Sequence, residues 1–428
     1  MPPGIHGRDR YHGPAMPGRL HIAIFVLACL AGVAFASVST FDFAQHLDRQ
    51  VHDLHCSFIP GQRTAAVDGE AVGCQVTLMS PYSSVLRTRI WGGLPISLPG
   101  MAVFAFLVFR GFDLLGRKGL ARRRAAGWLF AFSFVPLLTS AVMGGIALLE
   151  LDAVCKVCIG IYGASLVAVL AAGLAYASCR RMIDEPEADS APARLAGNGV
   201  WALVGLAQLG AFVAVPSLGY MGLMPDYSRY VGTCGKLADT DDAGGVMVAL
   251  DQNAGGAPAV EVFDPLCPAC RAFDRRLAAS GLAARLHRRA VLFPLDDTCN
   301  WMVEGAVHPG ACTISEAILC ADGGKLGPTA TAVIDWAFEA QENLRTAAKT
   351  DATAPRRLVS ERFPELAACI GSAEVQQRLN KSLRWAVSHS IPVLTPQLYV
   401  GGVKLCPEDT DLGLEYSLTG LLERRGTP

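Results

Sequence analysis

Two pairs of cysteines have the spacing of reactive dithiols. Cys155 and Cys158 form one Cys-x-x-Cys sequence, and Cys267 and Cys270 form the other. With this spacing at a helix start the two thiols can close reversibly into a disulfide, while the unpaired N–H groups of the helix N-terminus stabilise a thiolate. Two such pairs also offer the four thiolates of a zinc site. The spacing therefore predicts thiol–disulfide exchange, with zinc binding as the structural alternative.

The elements that must position these pairs include long apolar segments. Of the 428 residues, 51% are hydrophobic and 18% are charged, which indicates lipid contact for part of a chain of two or three domains. Five segments lack charged residues and reach the ~20 residues that span a bilayer. They are 20–40, 90–109, 128–149, 157–177 and 200–221. The first has an alternative interpretation as a cleaved signal peptide, because Ala34-Phe35-Ala36 follows an apolar core.

Basic residues flanking these segments predict how the chain crosses the membrane. Twelve lie on one side: Arg8, Arg10, Arg19, Arg110, Arg117, Lys118, Arg122, Arg123, Arg124, Arg180, Arg181 and Arg194. Five lie on the other: Arg49, Arg63, Arg87, Arg89 and Lys156. By the positive-inside rule the N-terminal tail is cytoplasmic, so 41–89, 150–156 and everything after residue 221 are outside. We expect a multi-pass protein of the bacterial inner membrane with its C-terminal domain in the periplasm.

The distribution of the 14 cysteines agrees with this orientation. Cys29 and Cys179 fall within or at the cytoplasmic end of membrane helices, and we interpret them as packing residues. The other twelve are predicted at or near the outer face, where an oxidising compartment favours disulfides. Six of them, apart from both Cys-x-x-Cys pairs and from Cys56 and Cys74, allow 15 pairings. They are Cys234, Cys299, Cys312, Cys320, Cys369 and Cys406, and we favour Cys299 with Cys312 and Cys320 with Cys369.

The first Cys-x-x-Cys belongs to a longer pattern. Together with Tyr162, it forms the pattern Cys-x-x-Cys-x-x-x-Tyr. Earlier in the chain, Cys74 and Ser80 form the pattern Cys-x5-Ser, and Gly93-Leu94-Pro95 and Gly100 follow them. Residues 20–177 thereby resemble the vitamin K epoxide reductase family. The resemblance implies that Cys155 and Cys158 reduce a quinone, ubiquinone or menaquinone, and that Cys56 and Cys74 relay electrons to them. The insert of residues 57–73 between these two loop cysteines is longer than the corresponding segment in the family.

Two polar residues are candidates for holding the quinone. Tyr162 lies one helical turn beyond Cys158 on the same face, where its hydroxyl can donate to a quinone oxygen. Its alternative role is that of an interfacial anchor. Ser80 is the second candidate, with a helix cap or a packing role as its alternative.

The second Cys-x-x-Cys follows an apolar strand, residues 259–263, and the turn Asp264-Pro265-Leu266. Much later, Thr395-Pro396 precedes another apolar strand that ends in Gly401-Gly402. Residues 259–405 resemble the DsbA-like branch of the thioredoxin fold, in which a helical insert separates the two halves. The resemblance implies Cys267 as nucleophile, Cys270 as resolving thiol, Glu261 as a buried acid beneath them and Pro396 as the cis-proline. A surface position for Glu261 and a trans turn for Pro396 are the alternatives.

These observations predict a membrane all-α bundle, with a four-helix core and a fifth transmembrane helix, fused to an α/β thioredoxin-like domain with a helical insertion. The predicted domains are a tail (1–19), a reductase-like membrane domain (20–178), a linker (179–199), a fifth helix (200–221), a connector (222–258) and an exported domain (259–428). The net charge of −1 and the motifs do not indicate a nucleic-acid partner.

The expected function is quinone-dependent oxidation of thiols in exported proteins. Electrons would pass from substrate thiols through Cys267 and Cys270, then Cys56 and Cys74, then Cys155 and Cys158, to a membrane quinone, with no metal. Two alternatives stay open. One is a disulfide reductase or isomerase that works in the reverse direction, and the other is a membrane-anchored metal-binding module.

Overall fold

The computed structural model describes residues 18–58, 73–180, 198–242, 244–250, 255–324 and 327–426. It divides into two compact units. The bundle unit comprises Met1–Leu78 and Leu94–Met224, and the sheet unit comprises Met79–Gly93 and Pro225–Pro428. Most of the predicted tail, most of the 57–73 insert and most of the predicted linker lie outside the described residues.

The bundle unit is helical, with helices α1 Arg19–Gln45, α2 Gly73–Leu78, α3 Ser97–Gly116, α4 Gly119–Leu149, α5 Lys156–Arg180 and α6 Asn198–Leu223. All but α2 are long and apolar enough to cross a membrane. The core forms where α1, α3, α4 and α5 meet, and Phe25, Phe106 and Ala168 are completely buried there. Cys29 and Cys179 are buried in the same core. Helix α6 buries little of its surface, so the predicted four-helix core with a fifth helix is confirmed.

The second membrane segment was predicted seven residues too early. Residues 90–109 were expected to be helical, but α3 begins at Ser97 and continues to Gly116. Gly92 and Gly93 have φ of 70° and 77°, and they lie between two short strands, β1 Ser84–Val85 and β2 Leu94–Pro95. Left-handed glycines and a proline do not fit a helix interior. At the other end Arg110, which was assigned to a loop, is buried within α3, 3.4 Å from the Asp113 carboxylate.

The sheet unit contains a five-stranded sheet of order β3-β5-β4-β6-β7. The strands are β3 Val248–Ala249, β4 Ala257–Phe263, β5 Leu286–Leu292, β6 Gln397–Val400 and β7 Val403–Lys404. Only β4 and β5 are parallel, and helix α7, Pro268–Ala279, connects them. This βαβ unit followed by an antiparallel hairpin is the arrangement expected of a thioredoxin-like domain.

Five helices separate β5 from β6, and a last helix follows β7. The five are α8 Ala311–Gly323, α9 Ala330–Glu339, α10 Gln341–Thr350, α11 Ala354–Arg362 and α12 Ala373–Ser388; the last is α13 Leu414–Gly426. Leu292 at the end of β5 is completely buried and shares one apolar cluster with Ile318 of α8 and Val333 of α9. The predicted helical insertion is therefore confirmed, and it packs against the sheet.

Two parts of the sheet unit lie outside the predicted exported domain. The stretch 222–258, assigned to a connector, contains β3, which pairs with β5 in antiparallel register. Its apolar run is too short for a sequence pattern to separate from a loop. Residues 79–93, which come between α2 and α3 in the chain, also belong to this unit. Trp91 stacks on Tyr227 at 4.8 Å, and its indole N–H donates to Asp409 at 2.9 Å.

Four disulfides are present. Both favoured pairings, Cys299 with Cys312 and Cys320 with Cys369, are among them, together with Cys234–Cys406 and Cys56–Cys74. Glu408 lies close to the sulfurs of Cys234 and Cys406. These two sulfurs are bonded to each other, so this grouping does not provide a thiolate site for a metal.

Candidate active site

The reactive turn of the sheet unit lies where β4 ends and α7 begins. Cys267 is the N-cap of α7, and Pro268 occupies the first helical turn, where its fixed φ favours helix initiation. The N–H of Cys267 donates to the carbonyl oxygen of Asp264 at 3.1 Å, which closes the turn. Cys267 is 5% exposed and Cys270 is completely buried. Cys267 is therefore the more accessible of the two thiols.

The two thiols differ in acidity. A hydrogen bond from the Cys270 thiol lowers the pKa of Cys267 to about 6, and a hydrogen bond with Thr395 acts in the same direction. Burial raises the pKa of Cys270, and its hydrogen bond to Cys267 raises that pKa further. Cys267 is therefore the thiol of this pair that ionises more readily.

The loop facing Cys267 contains the expected proline. The Cys267 sulfur lies 3.8 Å from the carbonyl oxygen of Thr395, and the Thr395–Pro396 peptide bond is cis. A side chain from the helical insert also reaches the reactive turn. The amide nitrogen of Gln341 donates to the carbonyl oxygens of Pro265, at 3.2 Å, and Cys267, at 3.1 Å. The two halves of the domain thus meet around Cys267.

Glu261 lies on β4 and is 3% exposed, so it is not a surface residue. Its carboxylate is 3.2 Å from the guanidinium of Arg288 on the neighbouring strand β5. The same guanidinium lies 3.5 Å from Asp274 on α7. A buried carboxylate needs a partner of this kind to remain ionised. Its function as a proton acceptor remains a prediction.

A second buried acid, Asp264, was not recognised as a site residue. It is completely buried, and its carboxylate accepts from the N–H of Leu266 and the N–H of Leu295, both at 2.7 Å. The ring of His308 is a third neighbour, with Nδ1 at 2.7 Å. Asp before Pro is a turn signal in the sequence. No sequence pattern indicates that His308 belongs to the site, because this residue lies in a loop 41 positions after Cys267.

The pair in the bundle unit lies at the start of α5. Cys155 is buried and directly precedes the helix, while Cys158 in its first turn is half-buried. The N–H of Cys158 donates to the Cys155 sulfur at 3.2 Å. A hydrogen bond from the Cys158 thiol lowers the pKa of Cys155 to about 7. Cys155 is therefore the thiol of this pair that ionises more readily.

The short helix α2 carries Cys74, and it places the Cys56–Cys74 disulfide beside this pair. Gly73, the first residue of α2, packs against the backbone before Cys155 so closely that a Cβ there would overlap the Val154 carbonyl oxygen. Thr77, one turn later, hydrogen-bonds the Cys155 thiol. The fold therefore brings together two cysteine pairs that are about 80 residues apart in the sequence.

The two predicted quinone ligands are placed differently. Tyr162 is half-buried on α5 in the bundle unit, one turn after Cys158. A Cβ added at Gly144 of α4 would be 3.4 Å from its ring, so α4 passes close to this side chain. Ser80 is buried in residues 79–93 of the sheet unit, where its carbonyl oxygen accepts from Arg87 at 2.9 Å.

Residues 23–172 match the model of the vitamin K epoxide reductase family. This part of the chain is a vitamin K epoxide reductase family domain. Two solved structures from Neisseria meningitidis, reduced DsbA1 and the oxidoreductase NmDsbA1, each have 16% identity and a TM-score of 0.28. They cover 45% of this chain and 94% and 93% of their own chains, respectively. No curated protein matches the chain.

The vitamin K epoxide reductase family domain contains α2, α3, α4, most of α1 and most of α5, together with the Cys56–Cys74 disulfide. Its apolar helices make this chain a membrane protein. Combined with a thioredoxin-like unit and two Cys-x-x-Cys sequences, the family domain indicates a thiol–disulfide oxidoreductase.

Proposed function

We propose that this protein is a quinone-dependent thiol oxidase that generates disulfides in exported proteins. The observation that carries the proposal is the packing of α2, which holds Cys74, against the backbone that leads into Cys155. This packing holds the segment of the Cys56–Cys74 disulfide next to the segment of the Cys155–Cys158 dithiol, which favours exchange between them. The family domain therefore holds both components of an internal electron relay.

The proposed path begins at a dithiol of an exported protein. Its first thiolate attacks Cys267, the Cys267–Cys270 bond breaks and Cys270 takes up a proton. The second substrate thiolate then forms the new disulfide and releases Cys267 as a thiolate. Two electrons pass in the same way to Cys56–Cys74 and then to Cys155–Cys158. Because both reactive pairs are in one chain, their effective concentration is high and reoxidation is intramolecular.

The acidity of Cys267 supports the oxidising direction. A thiol of low pKa is a good leaving group, so a disulfide that contains Cys267 passes readily to a substrate. Glu261 is proposed to accept and return the proton of Cys270, since a buried carboxylate can act as an acid or base. Pro396 lacks an N–H, which leaves neighbouring backbone groups free to pair with an extended substrate.

Residues near Cys158 fit a quinone. Cys158 is half-buried among apolar helices, and the Tyr162 hydroxyl one turn away is a hydrogen-bond donor. The small residue Gly144 leaves room for the Tyr162 ring. When bound, ubiquinone or menaquinone would accept two electrons and two protons. Tyr162 would orient it and Cys158 would face it, while the surrounding helices exclude water.

The orientation is part of the proposal. The excess of basic residues beside one set of helix ends favours a cytoplasmic N-terminus and a periplasmic sheet unit in the bacterial inner membrane. A C-terminal alkaline phosphatase fusion should then be active in cells. Activity of a reporter that works only in the cytoplasm would contradict the orientation and the relay.

Quinone reduction by the purified, dithiol-reduced protein tests the function. We expect stopped-flow absorbance to show reduction of ubiquinone-1 or menadione coupled to oxidation of a dithiol peptide. Cys158→Ser should abolish it and leave a single oxidation of the peptide by Cys267–Cys270. Cys29→Ala, in the bundle core, is the control and should retain turnover. Quinone reduction that persists without Cys158 would show that this pair is structural.

Thiol trapping in cells separates the alternatives. An oxidase keeps Cys267 and Cys270 mainly as a disulfide, whereas a reductase or isomerase keeps them mainly as a dithiol. A metal-binding module would retain stoichiometric metal through purification. A dithiol state in growing cells would contradict the proposed direction.

A further inference from the structure

A buried aspartate and histidine lie behind the reactive turn of the sheet unit. Asp264 is completely buried and His308 is 8% exposed, and Nδ1 of His308 is 2.7 Å from the Asp264 carboxylate. The backbone fixes His308 on both sides. Its N–H donates to the Leu295 carbonyl oxygen at 2.9 Å, and its own carbonyl oxygen accepts from Ala311 at the start of α8. The ring is therefore held in place rather than free to turn outward.

The surroundings favour a positive charge on this ring. Burial lowers the pKa of His308, but the hydrogen bond and charge of Asp264 and the charge of Cys267 outweigh that effect and raise the pKa above its ordinary value. Arg345 is the charged group that opposes them. Asp264 itself accepts hydrogen bonds from two backbone N–H groups.

Asp264 creates a difficulty for Cys267 that His308 removes. The negative charge of Asp264 raises the pKa of Cys267 and so opposes the thiolate. A buried carboxylate alone beside the nucleophile would make exchange slower. An imidazolium bonded to that carboxylate compensates its charge and also attracts the thiolate.

We propose that Asp264 and His308 form a charge-compensated pair that positions the reactive turn and maintains Cys267 as a thiolate. Asp264 fixes the turn through the N–H groups of Leu266 and Leu295, and protonated His308 supplies the positive charge. The inference rests on the proposed thiol exchange at Cys267. When a substrate disulfide forms, the bond to Cys267 breaks and its electron pair goes to the Cys267 sulfur. His308 keeps its proton and stabilises that leaving thiolate.

The pH dependence of Cys267 alkylation in the full-length, dithiol-reduced protein tests this inference. Iodoacetamide reacts with the thiolate, and mass spectrometry of the Cys267 peptide gives the rate at each pH. His308→Gln should move the midpoint upward from about 6 and leave the plateau above the midpoint unchanged. A shift of one pH unit would slow alkylation at pH 6 roughly fivefold. His389→Gln, which replaces a histidine stacked on Trp385, is the matched control.

A double variant separates charge from structure. In His308→Gln the Asp264 carboxylate has lost its compensating cation, so adding Asp264→Asn should move the midpoint back down. A disrupted turn would instead change the plateau and would not be rescued. An unchanged midpoint in His308→Gln, or a midpoint shifted equally by His389→Gln, would overturn the inference. The midpoint is measured without quinone, so failure of the oxidase proposal would appear separately, as absent quinone reduction in the wild-type protein.

Discussion

Cys155–Cys158 and Cys267–Cys270 lie at the N-termini of helices α5 and α7, and the first cysteine of each pair is the more acidic one. Their surroundings differ. The α5 pair has Thr77 and Tyr162 as polar neighbours and lies in a bundle with a mainly apolar core. Around the α7 pair are Asp264, His308, Gln341 and Thr395.

This difference shows that a Cys-x-x-Cys at a helix start makes the first thiol acidic but does not specify which molecule the pair exchanges electrons with. Helix N-termini and the second thiol lower the pKa of the first cysteine at both sites. An apolar site with one adjoining disulfide suits a single internal donor and a lipid-soluble acceptor. A site rich in fixed charges and backbone acceptors suits repeated exchange with external thiols. Each of the following changes acts on one side of this comparison.

Cys270→Ser should have the largest effect, because it removes the thiol that resolves adducts at Cys267. We expect loss of steady-state turnover and accumulation of a mixed disulfide between Cys267 and Cys56. Mass spectrometry of the non-reduced variant should find these two peptides joined. A Cys267–Cys74 adduct would exchange the roles of the loop cysteines. If neither adduct forms, the intramolecular route is wrong.

Gly73→Val tests the contact between α2 and the bundle pair. A side chain at this position would overlap the Val154 carbonyl oxygen and push α2 away. Because displacement of reacting groups by 1 Å can cost about 100-fold in rate, quinone turnover should fall by a factor of that order. Gly210→Ala on α6, where a Cβ would meet open space, should leave turnover unchanged. Equal rates for the two variants would remove the contact from the relay.

The acidity of the two first cysteines predicts an ordering in pH. In the dithiol-reduced protein, alkylation of Cys267 should reach half of its maximum near pH 6 and alkylation of Cys155 near pH 7. Each rate falls below its midpoint, because the thiolate is protonated. Peptide mass spectrometry reports both midpoints in one experiment. Midpoints in the reverse order, or both near pH 9, would contradict the comparison.

Trp91→Phe should give the smallest effect. It keeps an aromatic ring against Tyr227 but loses the hydrogen bond to Asp409, which still accepts from Ser417 at 2.8 Å. The lost bond contributes about 1 kcal/mol. Hydrogen exchange of the amides in residues 79–93 should show a lower opening free energy by that amount, unlike the control Trp385→Phe. Unchanged exchange would mean that the indole N–H does not stabilise this segment.

Much of the architecture could be predicted because it follows from local patterns. Uncharged runs of bilayer length predicted the five helices, and the Cys-x-x-Cys spacing predicted both cysteine pairs. Pro396 and Glu261 were proposed from the resemblance of residues 259–405 to the DsbA-like branch of the thioredoxin fold. The predicted start of the second membrane helix was wrong because local signals conflict there. Gly92, Gly93 and Pro95 lie inside an apolar run, and α3 begins only after them.

The sequence alone therefore determined the two Cys-x-x-Cys pairs and the apolar helices, because each depends on residues close together in the sequence, and the family resemblance added the thioredoxin-like domain. Only the tertiary structure decided what surrounds each pair. Gly73 against Val154 and His308 against Asp264 are contacts between segments tens of residues apart. Such contacts depend on how whole elements pack, and packing, unlike helix periodicity or Cys-x-x-Cys spacing, leaves no regular pattern in a single sequence.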